Sequence, residues 1–328
     1  MTKDDNDIFA ERYRPQTVDE IVGQDHIIPF LKGFVKNKKI PHLLFAGPAG
    51  CGKTTASIAL AKDIFGPGWK DYFVEINASD DRGIKVVRDK IKGYARIKVI
   101  EHPFKVIFLD EVDAMTPDAQ DALRRIMEKN SGHCRFILSC NYPNRLIEPI
   151  KDRCSAFRFR NISADDILKL ITKVAEKEEI NITESAMIVL SKLSKGSMRK
   201  ALTTLHTLKL SNISEITKET IYDIMCFIND EHVIDVMKAI KDKDIKKVDD
   251  LVDRLLSYYC YEPAEIIESL YDMIKLSKVL DDESKVDALL KLADIEFRLA
   301  EKASPQIQLK CFAMYLVGLY AKETNIIK

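Results

Sequence analysis

The stretch GPAGCGKT, Gly47 to Thr54, limits what this chain can fold into more than any other. It follows an apolar run, His42–Ala46, and leads into a helical pattern, Thr55–Phe65, so the order is strand, glycine-rich loop, helix. In that setting backbone N–H groups curl around phosphates at a helix N-terminus, a lysine reaches the β and γ phosphates, and a threonine hydroxyl can ligate magnesium. A merely flexible turn would not require Lys53 and Thr54 at those two places. Gly47, Pro48, Ala49, Gly50, Cys51, Gly52, Lys53, Thr54 and Thr55 are therefore candidate contacts of a nucleoside triphosphate.

The surrounding sequence supplies the rest of such a site. Tyr72–Asn77, Lys105–Asp110, Arg135–Ser139 and Ala156–Arg160 are further β-branched or aromatic runs bounded by Gly, Pro or Asn. Alternating with helical patterns, they predict a parallel sheet wrapped by helices. VIFLDEVD, Val106 to Asp113, is a buried strand that ends in acids. Asp110 can hold the shell of a magnesium ion, and Glu111 is placed to orient and deprotonate water for attack on a γ phosphate. Asp113 either supports the site or caps the turn before Thr116-Pro117, which starts the next helix. Asn141 follows the strand Arg135–Ser139 at the sheet edge where open α/β folds bind ligands, so its amide is a candidate for holding the water or the γ phosphate.

Beyond Arg160 the strand signal stops. Ser163-Ala-Asp-Asp166 reads as a capping box opening one helix, Thr183 caps a second, Gly196-Ser197 separates that from a third running towards Lys209, and Thr217 caps a short fourth. From about Asp230 the pattern is helical throughout. Val233, Val236, Met237 and Ile240, then Val248, Leu251, Val252 and Leu255, recur at the three-to-four spacing of bundle helices. The expected division is 1–160 mixed α/β, 161–228 a small helical domain, and 229–328 a helical bundle.

Composition narrows the partners. The 328 residues balance 51 basic against 51 acidic side chains, which excludes a uniformly basic nucleic-acid coat. Residues 1–160 carry 27 Lys and Arg against 22 Asp and Glu, so the first half is the better place to seek phosphate-bearing partners. The seven cysteines show no CxxC pair or zinc spacing, and with no signal peptide or long apolar run they imply reduced thiols in an intracellular, membrane-free setting.

ERYRPQTVDEIVGQ (Glu11–Gln24), the GPAGCGKT loop, NASDDRG (Asn77–Gly83), FLDEVDAM (Phe108–Met115), FILSCN (Phe136–Asn141), DRCSAFRF (Asp152–Phe159) and GSMRKAL (Gly196–Leu202) occur in that order. Together they resemble the small subunits of replication factor C, clamp loaders of the AAA+ superfamily in archaea and eukaryotes. The resemblance is specific through the second domain and rests on length and helical pattern beyond it. It implies an α/β P-loop (AAA+) domain, a small helical lid and an all-helical collar that oligomerises. It also implies an ATPase using magnesium, in a spiral of five subunits with further small-subunit copies and a large subunit, that opens a sliding clamp and loads it on primer-template DNA. The compartment would be a cytoplasm with its nucleoid if archaeal, or a nucleus if eukaryotic.

Further residues follow from the resemblance. Arg153, in the place of a Ser-Arg-Cys arginine, would reach ATP held by the neighbouring subunit, and Arg199 would sense nucleotide from the lid. A guanidinium supplied to the γ phosphoryl group in the transition state is worth about 10³–10⁵ in rate. Asp152 stands where serine is usual, Ser197 where aspartate is commoner, and Val112 where alanine is usual. Taken from the residues alone, Arg153 reads as a surface ion pair with Asp152 or another acid. Tyr13, Arg14, Ile21 and Val22 are implied to lie near the adenine. Arg82, Lys85 and Arg88 are implied phosphate contacts to DNA, sequence-independent and salt-sensitive; Arg88, Lys92 and Arg96 share one face of a helix. Ile97, Val99, Ile100 and Phe104 pack a core or, on the resemblance, face the clamp. Arg124 and Arg125 either relay nucleotide occupancy or form interface ion pairs.

Two other functions compete. A non-hydrolysing structural subunit would be free to lose Lys53, Asp110, Glu111, Asn141 and Arg199, all of which are intact. A branch-migration helicase of the same superfamily would carry a winged-helix pattern where this chain has a helical C-terminus.

Overall fold

The apolar runs of the first half form one five-stranded sheet: β1 (Leu43–Ala46), β2 (Phe73–Asn77), β3 (Lys105–Asp110), β4 (Cys134–Cys140) and β5 (Ser155–Arg158), ordered β2-β3-β4-β1-β5 with every pairing parallel. The computed structural model describes residues 8–79, 90–97, 99, 101–211, 213–225 and 228–326. They divide into two units, Met1–Ile216 and Thr217–Lys328.

Alternation along the strands sorts the side chains. Leu43 and Phe45 face one core with Phe108, Ile137 and Phe159, while Leu44 and Ala46 face another with Leu109, Phe136 and Leu138. Both faces are covered, which is why these strands read as continuous apolar runs. The helices α1 (Phe9–Arg12), α2 (Ile28–Asn37), α3 (Lys53–Phe65), α4 (Lys92–Arg96), α5 (Pro117–Asn130) and α6 (Glu148–Lys151) belong to this half. Ala56, Ala59 and Ala61 of α3 lie in the first core, and Leu123, Ile126 and Met127 of α5 in the second. Thr116 opens α5 by accepting from the Ala119 amide at 3.4 Å.

The strand ends differ from expectation in one informative place. β5 stops at Arg158 where the expected strand ran to Arg160, and there the Gln24 side chain takes both backbone groups of Arg160. Its Oε1 accepts from the Arg160 amide at 3.1 Å and its Nε2 donates to the carbonyl at 2.8 Å.

Three helices complete the first unit: α7 (Ala164–Lys177), α8 (Glu184–Leu193) and α9 (Met198–Leu210). Ser163, Thr183 and Ser197 cap them, accepting from the amides of Asp166 (3.1 Å), Ala186 (3.3 Å) and Lys200 (3.2 Å). Each such cap contributes about 1 kcal/mol. Ile167, Ile171, Val174, Leu190, Leu202 and Leu205 are the buried faces.

The second unit is helical among its described residues: α10 (Lys218–Met225), α11 (Asp230–Lys241), α12 (Ile245–Asp253), α13 (Pro263–Lys275), α14 (Asp282–Ala300) and α15 (Pro305–Ile326). Val233, Val236, Met237, Ile240, Val248, Val252 and Leu255 lie in its core with Leu309, Phe312 and Leu316 of α15. Leu251 packs against that core half-buried.

Candidate nucleotide site

Parallel pairing sets β3, β4 and β1 side by side, so three loops leave the same sheet edge as neighbours: the glycine loop after β1, the acids closing β3 and Asn141 after β4. The loop needs its glycines for different reasons. A Cβ on Gly47 would come within 2.4 Å of the Phe159 carbonyl oxygen, and Gly50 has φ +76°, which side-chain-bearing residues rarely adopt. The Gly50 carbonyl also accepts from the Met198 amide at 3.2 Å, so the start of α9 rests on the loop.

Lys53, the first residue of α3, is buried and its Nζ donates to the Gly47 carbonyl (2.7 Å), the Pro48 carbonyl (2.8 Å) and Asn141 Oδ1 (2.9 Å). Thr54 Oγ1 donates to Asp110 Oδ2 at 2.8 Å, while Asp110 Oδ1 accepts from the Glu111 amide at 3.0 Å. Glu111 itself sits at φ 55°, ψ 41°, a left-handed backbone that costs a non-glycine residue about 1 kcal/mol. Such strain is held where the surroundings over-determine it, here by the strand before and the short helical turn after.

Asp113 resolves to the supporting alternative. Its Oδ2 accepts from the amides of Asn141 (3.3 Å) and Tyr142 (3.0 Å), and Thr116 caps α5 without it. The chain of contacts therefore runs from Asp113 to the Asn141 backbone and from the Asn141 side chain to Lys53.

Lys53, Thr54, Asp110, Glu111 and Asn141 line one cleft, open to solvent, together with Tyr13, Arg14, Ile21, Val22, Ala49, Gly50, Cys51, Gly52, Thr55, Ile162, Leu170, Met198, Arg199 and Leu202. Its lining combines polar and basic groups with the apolar side chains of Ile21, Val22, Ile162, Leu170, Met198 and Leu202. Clefts of this mixed character accommodate a small molecule that carries both charged and flat apolar groups. Gly47 and Pro48 do not line it, and serve through their carbonyls on Lys53. Arg199 makes no hydrogen bond or ion pair among the described residues, which leaves its guanidinium available to an anion in the cleft. Burial pushes the Cys51 thiol up despite the Lys53 charge, and burial with the Asp113 carboxylate pushes Cys140 up to about 12. Both remain thiols that pack, not nucleophiles.

The donor set also fits magnesium. A threonine hydroxyl and a carboxylate oxygen already lie at hydrogen-bond distance, hard oxygens of the kind this ion prefers. Among the described residues no cluster of three His, Cys, Asp or Glu forms a protein-only cage, as suits an ion held mainly by phosphates and water.

Arg153 lies outside this cleft. Its Nη2 pairs with Glu128 of α5, its Nη1 donates to the Pro149 carbonyl at 2.7 Å, and Glu128 also takes Arg124 Nη1 at 2.8 Å. The acid beside Arg153 in space is thus Glu128, not its sequence neighbour Asp152. Phe104 is buried in the core, Ile97 is exposed and Val99 half-buried. Ile100 and the three DNA candidates Arg82, Lys85 and Arg88 lie outside the described residues.

The AAA family, ATPases associated with various cellular activities, matches residues 43–162, and the replication factor C C-terminal domain matches residues 228–314. The replication factor C small subunit of Archaeoglobus fulgidus is 45% identical over 318 residues, 96% of this chain and 99% of that one. The chain belongs to the replication factor C small-subunit family. The corresponding subunits of Methanococcus vannielii and Aeropyrum pernix are 41% and 37% identical, covering 92% and 96% of this chain and 95% and 97% of theirs. As a member of that family the protein is a clamp-loader ATPase of DNA replication. Among solved structures, the Thermotoga maritima RuvB Holliday junction branch migration motor matches with a TM-score of 0.52 at 16% identity, over 78% of this chain and 85% of that one, a likeness of fold alone.

Gln24, Glu128 and Glu178, whose carboxylate pairs with Arg12 beside the cleft residue Tyr13, are residues that the sequence did not single out, and Asp113 is one that it left between two roles. Gln24 also reaches the Cys51 carbonyl at 3.3 Å, so one buried amide ties the glycine loop to the end of β5. Only its place at the end of a family motif hinted at this. Glu178 stands in the run Glu176-Lys177-Glu178-Glu179, where nothing marks one acid over the others.

Proposed function

We propose that the cleft binds ATP with magnesium and hydrolyses it to drive clamp opening and placement on primer-template DNA. The observation that carries this reading is the convergence of Lys53 on Asn141 and of Thr54 on Asp110 at one sheet edge, with Arg199 arriving from the lid. Lys53, held now by two loop carbonyls and Asn141, would turn to the β and γ phosphates, where a charge-assisted bond is stronger. Thr54 and Asp110 would hold magnesium, which would supply positive charge against the phosphates. Glu111 accepts the proton of the attacking water as its oxygen bonds to the γ phosphorus and the bond to the β-bridging oxygen breaks, leaving ADP and phosphate. Asn141 orients that water or the γ phosphate, and Arg199 compensates charge from the lid.

Arg153 is free to act on the next subunit's ATP because its parking contact is weak. It is a half-exposed surface pair, worth about 0–1 kcal/mol. The three-part division 1–160, 161–228 and 229–328 assigns ATPase domain, lid and collar. For the collar, α14 presents Val286, Leu290 and Phe297 on one outward face, an apolar stripe suited to other small-subunit copies and a large subunit. Exposed Ile97 supports a clamp-facing role at its end of the ATPase domain, and Arg82, Lys85 and Arg88 remain the proposed DNA phosphate contacts. No helix among the described residues is long and apolar enough to cross a membrane, and the archaeal relatives favour a cytoplasmic, nucleoid-associated setting.

The test is the ATPase rate of the assembled complex with neither, either or both of primed DNA and clamp. Stimulation requiring both is expected; a rate indifferent to the clamp would refute the loading role.

A further inference from the structure

Glu178 follows the last turn of α7 and gathers donors from two directions. Arg12 Nη1 lies 3.0 Å from its Oε1 and 3.2 Å from Oε2, the Tyr13 hydroxyl donates to Oε1, and Lys209 Nζ of α9 donates to Oε2 at 2.6 Å. The Arg12 and Glu178 side chains are only 11% and 10% exposed, so this is not an ordinary surface pair. Around it the contacts are aromatic. Phe9 is buried and stacks on His206 of α9 at 4.5 Å, with the Arg12 and Lys209 cations each 5.6 Å from its ring. Lys177 sits 5.5 Å over the Tyr13 ring.

The chain between this cluster and α3 has a defined course. Val18 donates its amide to Asp63 of α3 at 2.8 Å, so residues 9–18 run from the lid helices to the ATPase core. On the way, Ala10, Glu11, Tyr13, Arg14 and Pro15 line the cleft, as do the lid residues Leu170, Met198 and Leu202. This short segment of the cleft wall is tied through Arg12 and Tyr13 to Glu178.

We infer that Glu178 is a positioning residue for recognition of the nucleotide base: it fixes segment 9–15 on the lid, so that the segment forms the base wall and moves with Arg199. This rests on the cleft being the ATP site, and it adds a residue that touches no nucleotide. Without the carboxylate, Arg12, Tyr13 and Lys209 lose their shared acceptor, and the segment's hold on the lid is weakened. The glycine loop, Lys53 and the Thr54–Asp110 pair do not depend on it, so phosphate binding stays.

The test uses the full chain with calorimetric binding of ADP and GDP. In the wild type ADP should bind more tightly than GDP, and Glu178→Gln should weaken ADP about tenfold while moving the GDP-to-ADP ratio of dissociation constants towards one. Equal weakening of both nucleotides, an unchanged ADP affinity, or a wild type that does not distinguish the bases would overturn the inference. A wild-type chain that binds neither nucleotide would instead refute the ATP site. Should Glu178→Gln fail to fold, Lys209→Met loosens the same carboxylate from the lid side and should move the ratio in the same direction by about threefold; an unchanged ratio in that variant also overturns the inference.

Discussion

Asp113 is the residue whose removal separates positioning from binding most clearly. Its Oδ2 takes the amides of Asn141 and Tyr142, while its Oδ1 is buried without a hydrogen-bond partner among the described residues. A buried carboxylate oxygen left unpaired is costly, and here the charge serves the other oxygen's hold on the turn after β4. A bond from an amide to a charged acceptor is worth about 1.5–3 kcal/mol. The Tyr142 amide can find water instead, and the Asn141 bond is long, so truncation should release Asn141 at about 1–2 kcal/mol. Expressed in the transition state, that lowers turnover roughly 5- to 30-fold. Asp113→Ala should therefore lose that much in single-turnover hydrolysis at saturating ATP, with ATP affinity changed less than about twofold, because the glycine loop and the Lys53 charge make no contact with Asp113 itself. Asp113→Asn retains one acceptor oxygen and should fall between. Turnover at the wild-type level in Asp113→Ala, or affinity falling in step with turnover, would refute this role.

Lys53→Ala should abolish nucleotide binding by this chain, measured by calorimetry, and retained binding would reject the loop as the phosphate site. Glu111→Gln should bind ATP normally and hydrolyse it at least about 10²-fold more slowly, the contribution of a general base. Near-normal hydrolysis would remove Glu111 from that role. Mixing Arg153→Ala chains with Lys53→Ala chains should recover activity in the assembly if Arg153 acts across the interface, and none if it acts on its own site. A pH dependence follows from Glu178. Burial pushes its carboxyl up, but hydrogen bonds from Lys209, Tyr13 and Arg12 outweigh it and hold the group at about 2, below the usual 4.5. A depressed carboxyl stabilises the fold fully above its unfolded value and loses that contribution as pH falls towards its folded value. The thermal midpoint of the wild type should therefore drop more steeply than that of Glu178→Gln between about pH 4.5 and 2, and parallel curves would contradict the clasp.

What the sequence disclosed divides by physical range. The glycine loop, the strands and the caps at Ser163, Thr183 and Ser197 are local: each is set by a few consecutive residues whose backbone needs have few solutions. Hence Lys105–Asp110 is read to the residue, and Lys53, Thr54, Asp110 and Asn141 meet once three parallel strands are aligned. The contacts that escaped are long-range and made by residue types that abound on surfaces. Gln24 bridges to Arg160, Arg12 and Tyr13 to Glu178, and Arg153 to Glu128, and none shows a periodicity that could name its partner. Asp113 was ambiguous for a related reason: a carboxylate near a turn can cap the helix that follows or a loop that returns, and only the register of β4 beside β3 decides.

Glu128 changes how the proposed trans role of Arg153 is understood. A restraint from Asp152 would be a fixed property of the local chain, present whether or not a neighbour has docked. Glu128 belongs instead to α5, the helix that leaves the acids of β3, so the same helix connects to both the acids closing β3 and the outward arginine. It also holds Arg124 from its own face. On the proposed role, when Arg153 leaves for a neighbour's γ phosphate Glu128 keeps a cationic partner, and the departure costs little more than one screened surface pair. The contact can therefore hold the guanidinium in one place without competing seriously with a phosphate, which is what a finger must do if hydrolysis is to wait for assembly but not be prevented by it.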